Sequence, residues 1–540
     1  MATARPVAVT GVAALVVALV VAPVVFLARG ALENGGRGVV AALATAGVGA
    51  ALRHTIALAV GVTVIAVAVG TLLAVIFDRS MVRAPARWRL ALVLPLLVPP
   101  FSLTLSWMQA YGPGGLVDHL TGFALPGLEG APGITVLLTV EAVPLVWLIV
   151  AAGLSARREP DLVRAARASG AGGCRAFVTI DLPLLRGPML AAGAVVLVGV
   201  VNSFAVPQVL GSAGGYETLA TLAYRQLSVS AAAAAFTRLC VVALLMVALT
   251  LLTVGAADRG LGRLGAGFVR SGSGGAGFVH RPASATRVVS AGLATYLILT
   301  VALPLVALLA TSLTRAPGLS PVPANWTVTH YAAGLSGPAL EALGRTLGLA
   351  IAAAVIVTAV AGIAVAVGGE AGRRLGTVLT TGYAVPGTAL AIGVLITYGR
   401  WLGGSAVIIL VALLGKCLAL GYRALASGAD RVAPELGRAA RASGADPVTV
   451  FATITAPVLR SGYLAAAGLV TLFVLHELTM SSILYGPGTQ TFAVVVLDRQ
   501  QLGAVGTSAA MAVILTLPPL LVVGVGTVAF ARGRAVTASS

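Results

Sequence analysis

The sequence has little charge and almost no lysine. Only 10% of the 540 residues are Asp, Glu, Lys or Arg, and the 35 basic residues include a single lysine, Lys416. Soluble domains carry about 25% charged residues, so this chain lacks the polar side chains to cover a folded surface in water. With 58% hydrophobic residues and a mean hydropathy of +1.01, the composition predicts a protein that uses lipid as its solvent.

Cysteine is also scarce, and patterns for binding a metal or a nucleotide are missing. Cys174, Cys240 and Cys417 lie far apart and match no metal-ligand spacing. The phosphate-binding pattern G-x-x-x-x-G-K-[ST] does not occur, because the only Gly-Lys pair is followed by Cys417 inside an apolar run. These absences predict a chain that binds no metal or cofactor of its own and does not hydrolyse ATP.

The net charge of +18 does not form a basic patch or tail. The arginines lie in short loops between apolar runs, which is the distribution that the positive-inside rule gives in membrane proteins. We therefore expect no nucleic-acid partner. Arginines occur together in the loops after the second, fourth and eighth apolar runs and in the C-terminal tail, and these segments share one side of the membrane if both termini are cytoplasmic.

Apolar runs of roughly 20 residues, enough to cross the hydrocarbon core as a helix, recur along the whole chain. They predict an all-α, polytopic membrane protein with about 12 transmembrane helices in two tandem, parallel repeats of six. Proline and glycine interrupt the third and fifth runs, so their ends are the least defined. The expected spans are 7–28, 55–77, 89–110, 133–154, 187–207, 233–255, 288–312, 343–367, 376–398, 405–425, 461–482 and 507–531.

A Gly/Ser-rich, basic segment divides the chain. Residues 257–287 have the composition of a flexible linker, here on the cytoplasmic side. The predicted domains are therefore a first repeat at 1–256 and a second repeat at 288–540. Because each repeat has an even number of spans, the two share one orientation, whereas inverted repeats usually need an odd number.

One polar segment occurs twice. Residues 164–183 read RAARASGAGGCRAFVTIDLP and residues 438–457 read RAARASGADPVTVFATITAP, with twelve of twenty positions identical at a constant offset of 274. Each copy is a short helix former that ends at Ser-Gly, where Gly170 and Gly444 predict the left-handed turn that terminates a helix. We expect a helix–turn–helix on the cytoplasmic face in the loops 155–183 and 428–457, suited to docking a two-fold partner.

These two segments resemble the EAA loop of binding-protein-dependent ABC-importer permeases, whose pattern is E-A-A-x3-G-x9-I-x-L-P. The spacing is kept in both copies. Arginine replaces the customary glutamate in each, and Ala456 replaces the usual leucine in the second. The positions that fall on the pattern are Arg164, Ala165, Ala166, Gly170, Ile180, Leu182 and Pro183, and then Arg438, Ala439, Ala440, Gly444, Ile454 and Pro457.

The resemblance implies a MetI-like permease subunit in the bacterial inner membrane. Its implied partners are two copies of an ABC ATPase on the cytoplasmic face, which would use the ATP, and an extracytoplasmic solute-binding protein. Residues 207–224 and 476–494 are similar to segments of the fused, twelve-span permeases of ferric-iron type. Ferric iron is therefore the expected solute, with thiamine, phosphonate or another small solute as the alternative.

Polar residues within the spans are candidates for the translocation pathway, because their burial in lipid is costly. Asn202 and His476 are separated by the same 274 residues, as are Ser203 and Glu477, so each pair occupies equivalent places in the fifth and eleventh spans. The alternative is that these side chains form hydrogen bonds between helices and fix their packing.

Two charged residues inside spans are further pathway candidates. Glu141 in the fourth span and Lys416 in the tenth lie within one residue of the repeat offset. A salt bridge between them is one interpretation, and a Lys416 side chain that extends to the membrane interface is the other. The histidines in loops or at span edges are expected to have no specific role; they are His54, His119, His280 and His330.

Two other classes of membrane protein compete with this interpretation. A secondary transporter of the major-facilitator type also has twelve spans in two parallel halves, but it does not require a duplicated cytoplasmic loop of this kind. A channel or a structural membrane protein is the other alternative, and no feature of the sequence favours it.

Overall fold

The computed structural model describes residues 4–33, 35–78, 85–156, 177–229, 233–263, 283–429 and 442–538, with a few single positions in the two repeated loops, 155–183 and 428–457. These residues are almost entirely helical. The described part contains no β-strand, and its one isolated β-bridge joins Thr314 to Trp326. The all-α prediction is confirmed.

The helices of the first sequence half follow the predicted spans in order. They are Ala4–Val16, Ala22–Leu32, Gly35–Leu43, Ala46–Asp78, Pro85–Val93, Pro100–Tyr111, Leu116–Thr121, Ala131–Ala156, Leu182–Val201, Ala205–Ala213, Leu219–Val229 and Ala233–Arg263.

The second half repeats this order with similar lengths. Its helices are Ala283–Leu297, Leu303–Leu313, Thr329–Gly334, Gly337–Val367, Gly369–Thr380, Gly387–Leu402, Ala406–Ala429, Pro447–Val450, Ala456–Val458, Arg460–His476, Thr479–Leu484, Phe492–Gln501 and Val505–Ala538. Short 3-10 turns lie at Leu94–Leu96 in the first half and at Pro323–Asn325 and Thr381–Ala384 in the second.

Within the described residues, eight helices are long and apolar enough to cross a membrane, and three bent helix pairs raise the number to eleven. The last helix adds a shorter apolar stretch, Val505–Leu521, where the twelfth span is expected. Each of the predicted spans therefore overlaps a helix or a bent pair, and the polytopic fold is confirmed.

Proline causes the bends in the third and ninth spans, which both turn by 97°. A proline drives the residue before it out of the helical conformation and lacks the N–H that would continue the helix. Pro99, which precedes Pro100, has a ψ of 134°, and Val385, which precedes Pro386, has a ψ of 124°. These spans are consequently two helix segments joined by an extended residue.

The fifth and eleventh spans are shorter than predicted. The expected spans reach residues 207 and 482, but the helices end at Val201 and His476. A turn and a second, short helix follow each of them, at Ala205–Ala213 and Thr479–Leu484. The sequence prediction missed both breaks because apolar residues continue on either side of the polar pair at each turn.

Four turns in the described residues have π-helical geometry, in which a backbone N–H bonds to the carbonyl five residues earlier. They are Val17–Val21, Phe177–Asp181, Ile298–Ala302 and Phe451–Thr455, and one further residue separates each from a proline, at Pro23, Pro183, Pro304 and Pro457. A proline ring clashes with the carbonyl four residues earlier, and the wider π turn relieves that clash.

By spatial contact the chain divides into two compact units that do not coincide with the sequence halves. One unit contains Met1–Val48, Leu222–Val247 and Thr311–Ser540, and the other contains Gly49–Thr221 and Ala248–Ala310. The first helix of each half thus packs within the unit formed mainly by the other half. These units do not test the predicted repeat boundaries, which stay a prediction.

The exchange is visible in the core of the unit that contains Gly49–Thr221. Its buried residues include Val62, Leu137 and Val196 from the second, fourth and fifth spans. Leu293, from the first helix of the second half, belongs to the same hydrophobic core. Close van der Waals packing of Leu293 against these residues holds the exchanged helix in this core, since lipid is as apolar as the side chains themselves.

Candidate functional site

The two repeated loops have the same backbone turn. Gly170 has a φ of +81° and Gly444 a φ of +86°, the left-handed region that only glycine adopts without strain. Just before each glycine, a serine N–H bonds to the carbonyl four residues back, from Ser169 to Ala165 at 2.9 Å and from Ser443 to Ala439 at 3.0 Å. The predicted helix-terminating glycine is confirmed in both loops.

The second arm of each loop is also duplicated. The π turns Phe177–Asp181 and Phe451–Thr455 begin at positions separated by 274 residues (451 minus 177) and contain Ile180 and Ile454. Leu182 and Pro183 begin the fifth span, whereas a separate short helix, Ala456–Val458, holds Pro457 before the eleventh. Arg164, Ala166 and Arg438 lie outside the described residues.

These loops have the surface that a docking element requires. Ala165 and Ala439 are exposed, as are Gly170 and Gly444, and a Cβ added at either glycine would meet no atom within 4 Å. A larger residue at either position would therefore strain the backbone, but it would not clash with neighbouring atoms. That leaves the outer face of each turn free for a partner protein, and the role of the motif residues stays a prediction.

Glu477 caps a helix. It follows the eleventh span, is 8% exposed, and its Oε2 accepts the N–H of Ser481 at 3.0 Å and the hydroxyl of the same residue at 2.8 Å. Its Oε1 accepts the N–H of Met480 at 2.5 Å. Both carboxylate oxygens thus accept backbone N–H groups in the first turn of the helix Thr479–Leu484, as a helix cap does.

The equivalent turn in the first half uses a different side chain. The amide Nδ2 of Asn202 donates to the carbonyl of Val198 at 2.7 Å, and the N–H of Ser203 bonds to the carbonyl of Val200 at 3.0 Å. Asn202 therefore closes the last turn of the fifth span. His476 ends the eleventh span at the equivalent position, so the structure places both predicted pairs at helix breaks.

Lys416 binds the bend of the ninth span. It is 7% exposed, and its ammonium donates to the carbonyls of Tyr383 at 3.1 Å and Val385 at 2.5 Å. The same group lies 5.2 Å from the centroid of the Tyr383 ring. These carbonyls end the segment before Pro386, where the helix dipole leaves partial negative charge. The alternative in which Lys416 extends to the interface is wrong for this side chain.

Glu141 lies in the helix Ala131–Ala156, in the compact unit that does not contain Lys416. Its Oε1 is shielded from solvent and has no hydrogen-bond partner among the residues that the structure describes. A carboxyl oxygen in that position is costly unless a partner or a proton satisfies it. The predicted salt bridge to Lys416 stays a prediction.

The sequence interpretation missed a contact that each unit repeats. Thr55 Oγ1 accepts the N–H of Leu219 at 2.9 Å, and Thr346 Oγ1 accepts the N–H of Phe492 at 2.9 Å. Both bonds attach the helix after the fifth or eleventh span to the second or eighth span. The only sequence signal was a threonine followed by a branched aliphatic residue near the start of each span, Thr55-Ile56 and Thr346-Leu347. Such a pair is too common to predict a contact by itself.

The residue before each of these threonines adds a second bond. His54 Nδ1 lies 2.9 Å from the carbonyl of Glu217 and its ring stacks on Tyr216 at 4.1 Å between centroids, while Arg345 donates to the carbonyl of Gln490 at 2.6 Å. The expectation that the histidines have no specific role is therefore wrong for His54. It is also wrong for His330, whose Nε2 lies 3.1 Å from the carbonyl of Thr314.

Comparison with known proteins agrees with this architecture. Residues 66–262 match the family model of the binding-protein-dependent transport system inner membrane component. The matched segment runs from the second span, through the first repeated loop, to the end of the sixth. No curated protein matches the chain.

The match covers 197 of the 540 residues, all within the first sequence half. Over that part the chain is similar to the inner-membrane permeases of ABC importers, which have a MetI-like fold, and its helices are those of a multi-pass membrane protein. Permeases of this family work with ATPase and binding-protein partners and are typically not enzymes themselves.

Proposed function

We propose that this chain is a fused permease subunit in which both sequence halves are permease repeats. One copy of an ABC ATPase docks on each of the repeated loops 155–183 and 428–457, which are the coupling loops of this proposal. A binding protein delivers the solute from outside. The observation that carries this proposal is the left-handed glycine turn at Gly170 and Gly444, which recurs at one fixed offset with the same hydrogen bonds around it. A two-fold partner needs two equivalent docking elements, and the chain supplies both.

In this proposal the ATPase subunits bind and hydrolyse the ATP, and the permease binds no cofactor. Both termini and the linker 257–287 are cytoplasmic, on the same side as the coupling loops. Arg164 and Arg438 stand where related loops carry glutamate, so the partner surface is expected to offer carboxylates at both docking sites. Charge complementarity of this kind selects the partner more than it raises affinity.

The proposed solute is ferric iron, with thiamine and phosphonate as alternatives. The pathway residues proposed for it are Glu141, Asn202, Ser203, Lys416, His476 and Glu477. Lys416 and Glu477 act in the pathway through the bend and the helix that they hold, since their polar atoms already have partners inside the protein.

Uptake into proteoliposomes tests the proposal. The chain is reconstituted with its ATPase, and the binding protein is loaded with 55Fe(III), labelled thiamine or a labelled phosphonate in parallel. We expect ATP-dependent accumulation of 55Fe and none when the ATPase is omitted. Uptake of another solute would replace iron and keep the permease, and uptake that persists without any ATPase would contradict the proposal and favour a secondary transporter.

A further inference from the structure

The first helix of each sequence half contains a carbonyl that the register of its own helix leaves without a backbone donor. In the π turn Val17–Val21 the N–H of Ala22 bonds to the carbonyl of Val17, five residues earlier. The next carbonyl in this register, that of Ala18, would need the N–H of residue 23. Residue 23 is proline and has none.

The second half has the same deficit. The N–H of Leu303 bonds to the carbonyl of Ile298 in the π turn Ile298–Ala302, and residue 304 is again proline. The carbonyl of Leu299 therefore has no backbone donor in this register. Wherever one residue separates a π turn from a proline, the missing N–H of that proline leaves a carbonyl of the turn without its donor.

A tyrosine from a bent span fills each vacancy. The hydroxyl of Tyr398 donates to the carbonyl of Ala18 at 2.6 Å, and the hydroxyl of Tyr111 donates to the carbonyl of Leu299 at 2.5 Å. Trp107 adds a bond from its Nε1 to the carbonyl of Thr300 at 3.1 Å. Both partners of each bond belong to the same compact unit.

The two tyrosine contacts are internal copies of one arrangement. Tyr111 and Tyr398 are separated by 287 residues (398 minus 111), as are Pro99 and Pro386 at the bends of their spans (386 minus 99). On the other side of the contact, Ala18 and Leu299 are separated by 281 residues (299 minus 18), and so are the prolines that follow them (304 minus 23). A contact duplicated on both sides at constant offsets is not an accident of side-chain placement.

The surroundings explain why these carbonyls need a side-chain donor. Within the first turn Val17 is 52% exposed, and within the second Ile298 is 54% exposed. In membrane-spanning helices such faces meet hydrocarbon, where no water can bond to a free carbonyl. In the repeated loops 155–183 and 428–457, the same register leaves the carbonyls of Val178 and Ala452 without a backbone donor. Both residues are exposed, and no side chain among the described residues donates to these carbonyls.

We propose that Tyr111 and Tyr398 are positioning residues of the transport cycle. Each hydroxyl ties the bent third or ninth span to the exchanged first helix, so that the two segments move as one body when the span changes its angle. The role in transport rests on the proposed function, whereas the two hydrogen bonds stand without it.

Amide hydrogen exchange on the full-length chain in phospholipid nanodiscs tests the bonds. In Tyr398→Phe we expect the amide exchange rate in the peptide covering 17–24 to rise about fivefold, which is the effect of losing one net hydrogen bond. The rate at 298–305 should not change. Tyr111→Phe should give the converse. Tyr463→Phe is the matched control, because its hydroxyl makes no hydrogen bond to any described residue.

Rescue makes the test specific. Pro23→Ala supplies the missing N–H, so it should restore slow exchange in Tyr398→Phe and leave Tyr111→Phe unchanged, and Pro304→Ala should do the reverse. Failure of this crossed rescue, or equal effects of both phenylalanine variants on both turns, overturns the assignment.

A second measurement tests the role in transport, using the chain assembled with its ATPase and trapped with ATP and vanadate. In the wild type, trapping should change exchange in the first-helix peptides and in the bent spans together. In Tyr111→Phe/Tyr398→Phe only the bent spans should respond, which a merely structural contact would not produce. A first-helix response that is unchanged in the double variant contradicts the role. No response in the wild type overturns the proposed function, and the nanodisc experiment decides the bonds separately.

Discussion

Gly393 lies against the backbone of Pro23. A Cβ on residue 393 would stand 2.7 Å from the carbonyl oxygen of Pro23 and 2.9 Å from its carbonyl carbon. Real Cβ atoms do not approach backbone atoms so closely, so the glycine sets the distance between the ninth span and the first helix. It lies on the helix that also carries Tyr398.

Gly393→Ala is therefore expected to push these two helices apart. We predict that the substitution lowers the free energy of unfolding by about 1–3 kcal/mol, as overpacking does, and weakens the hydrogen bond from Tyr398 to Ala18. Denaturation by SDS titration in mixed micelles measures the first effect. Gly348→Ala is the control, because a Cβ there would meet nothing within 4 Å; equal stability of the two variants would contradict the prediction.

Glu477 is expected to act on stability. In Glu477→Gln one carboxylate oxygen becomes an NH2 group that faces the N–H donors of Met480 and Ser481. We predict a loss of about 1–3 kcal/mol, the cost of leaving buried donors unsatisfied, measured by the same titration. A variant with full stability and impaired uptake would instead show that the carboxylate contacts solute.

Lys416 is expected to hold the bend of the ninth span. Lys416→Met keeps the length of the side chain and removes the donor to the carbonyls of Tyr383 and Val385, so we predict a loss of about 1–3 kcal/mol. Lys416→Arg retains donors and should lose less. Hydrogen exchange at residues 381–388 should rise in the methionine variant, and an unchanged bend would refute this role.

Asp498 predicts a pH dependence of stability. Burial raises the pKa of its carboxyl, while Arg499 and a hydrogen bond from Gln490 lower it. A carboxyl whose pKa is raised in the folded state contributes stability that is fully present below its ordinary pKa of about 3.9. That contribution is lost as pH rises through the raised folded value.

Asp498→Asn should therefore raise the midpoint of thermal unfolding at neutral pH and flatten its dependence on pH. Glu370→Gln is the control, since Glu370 is exposed and pairs with Arg374 at the surface. Parallel pH profiles for the wild type and Asp498→Asn would contradict the prediction.

The sequence was sufficient for the parts of this structure that local chemistry determines. The length of the apolar runs predicted the positions of the spans, and the Ser-Gly pairs predicted the left-handed turns at Gly170 and Gly444. It did not reveal contacts that depend on tertiary packing, such as the bond between Tyr398 and Ala18, because 380 residues separate the partners. The π turns did have a local signal, a proline within an apolar run, but tolerance of proline in membrane helices hides it.

The candidate pathway residues show a further limit. The offset of 274 correctly placed Asn202 and His476 at equivalent positions, but it could not distinguish a residue that lines a pathway from one that ends a helix. That distinction depends on where the polar atoms point. For Glu477 and Lys416 they point at backbone groups inside the protein.

The central claim is that each coupling loop docks one ATPase. Native mass spectrometry of the chain purified with its ATPase measures this as the number of ATPase copies per permease. Replacing Gly170 or Gly444 by valine forces a β-branched residue into the left-handed region, at a cost of about 1–2 kcal/mol, while the neighbouring space stays open. Gly172→Val, in the same loop and without a positive φ, is the control.

We predict two ATPase copies on the wild type and on Gly172→Val, one on Gly170→Val or Gly444→Val, and none on the double variant. Two copies on the double variant would contradict docking at these turns.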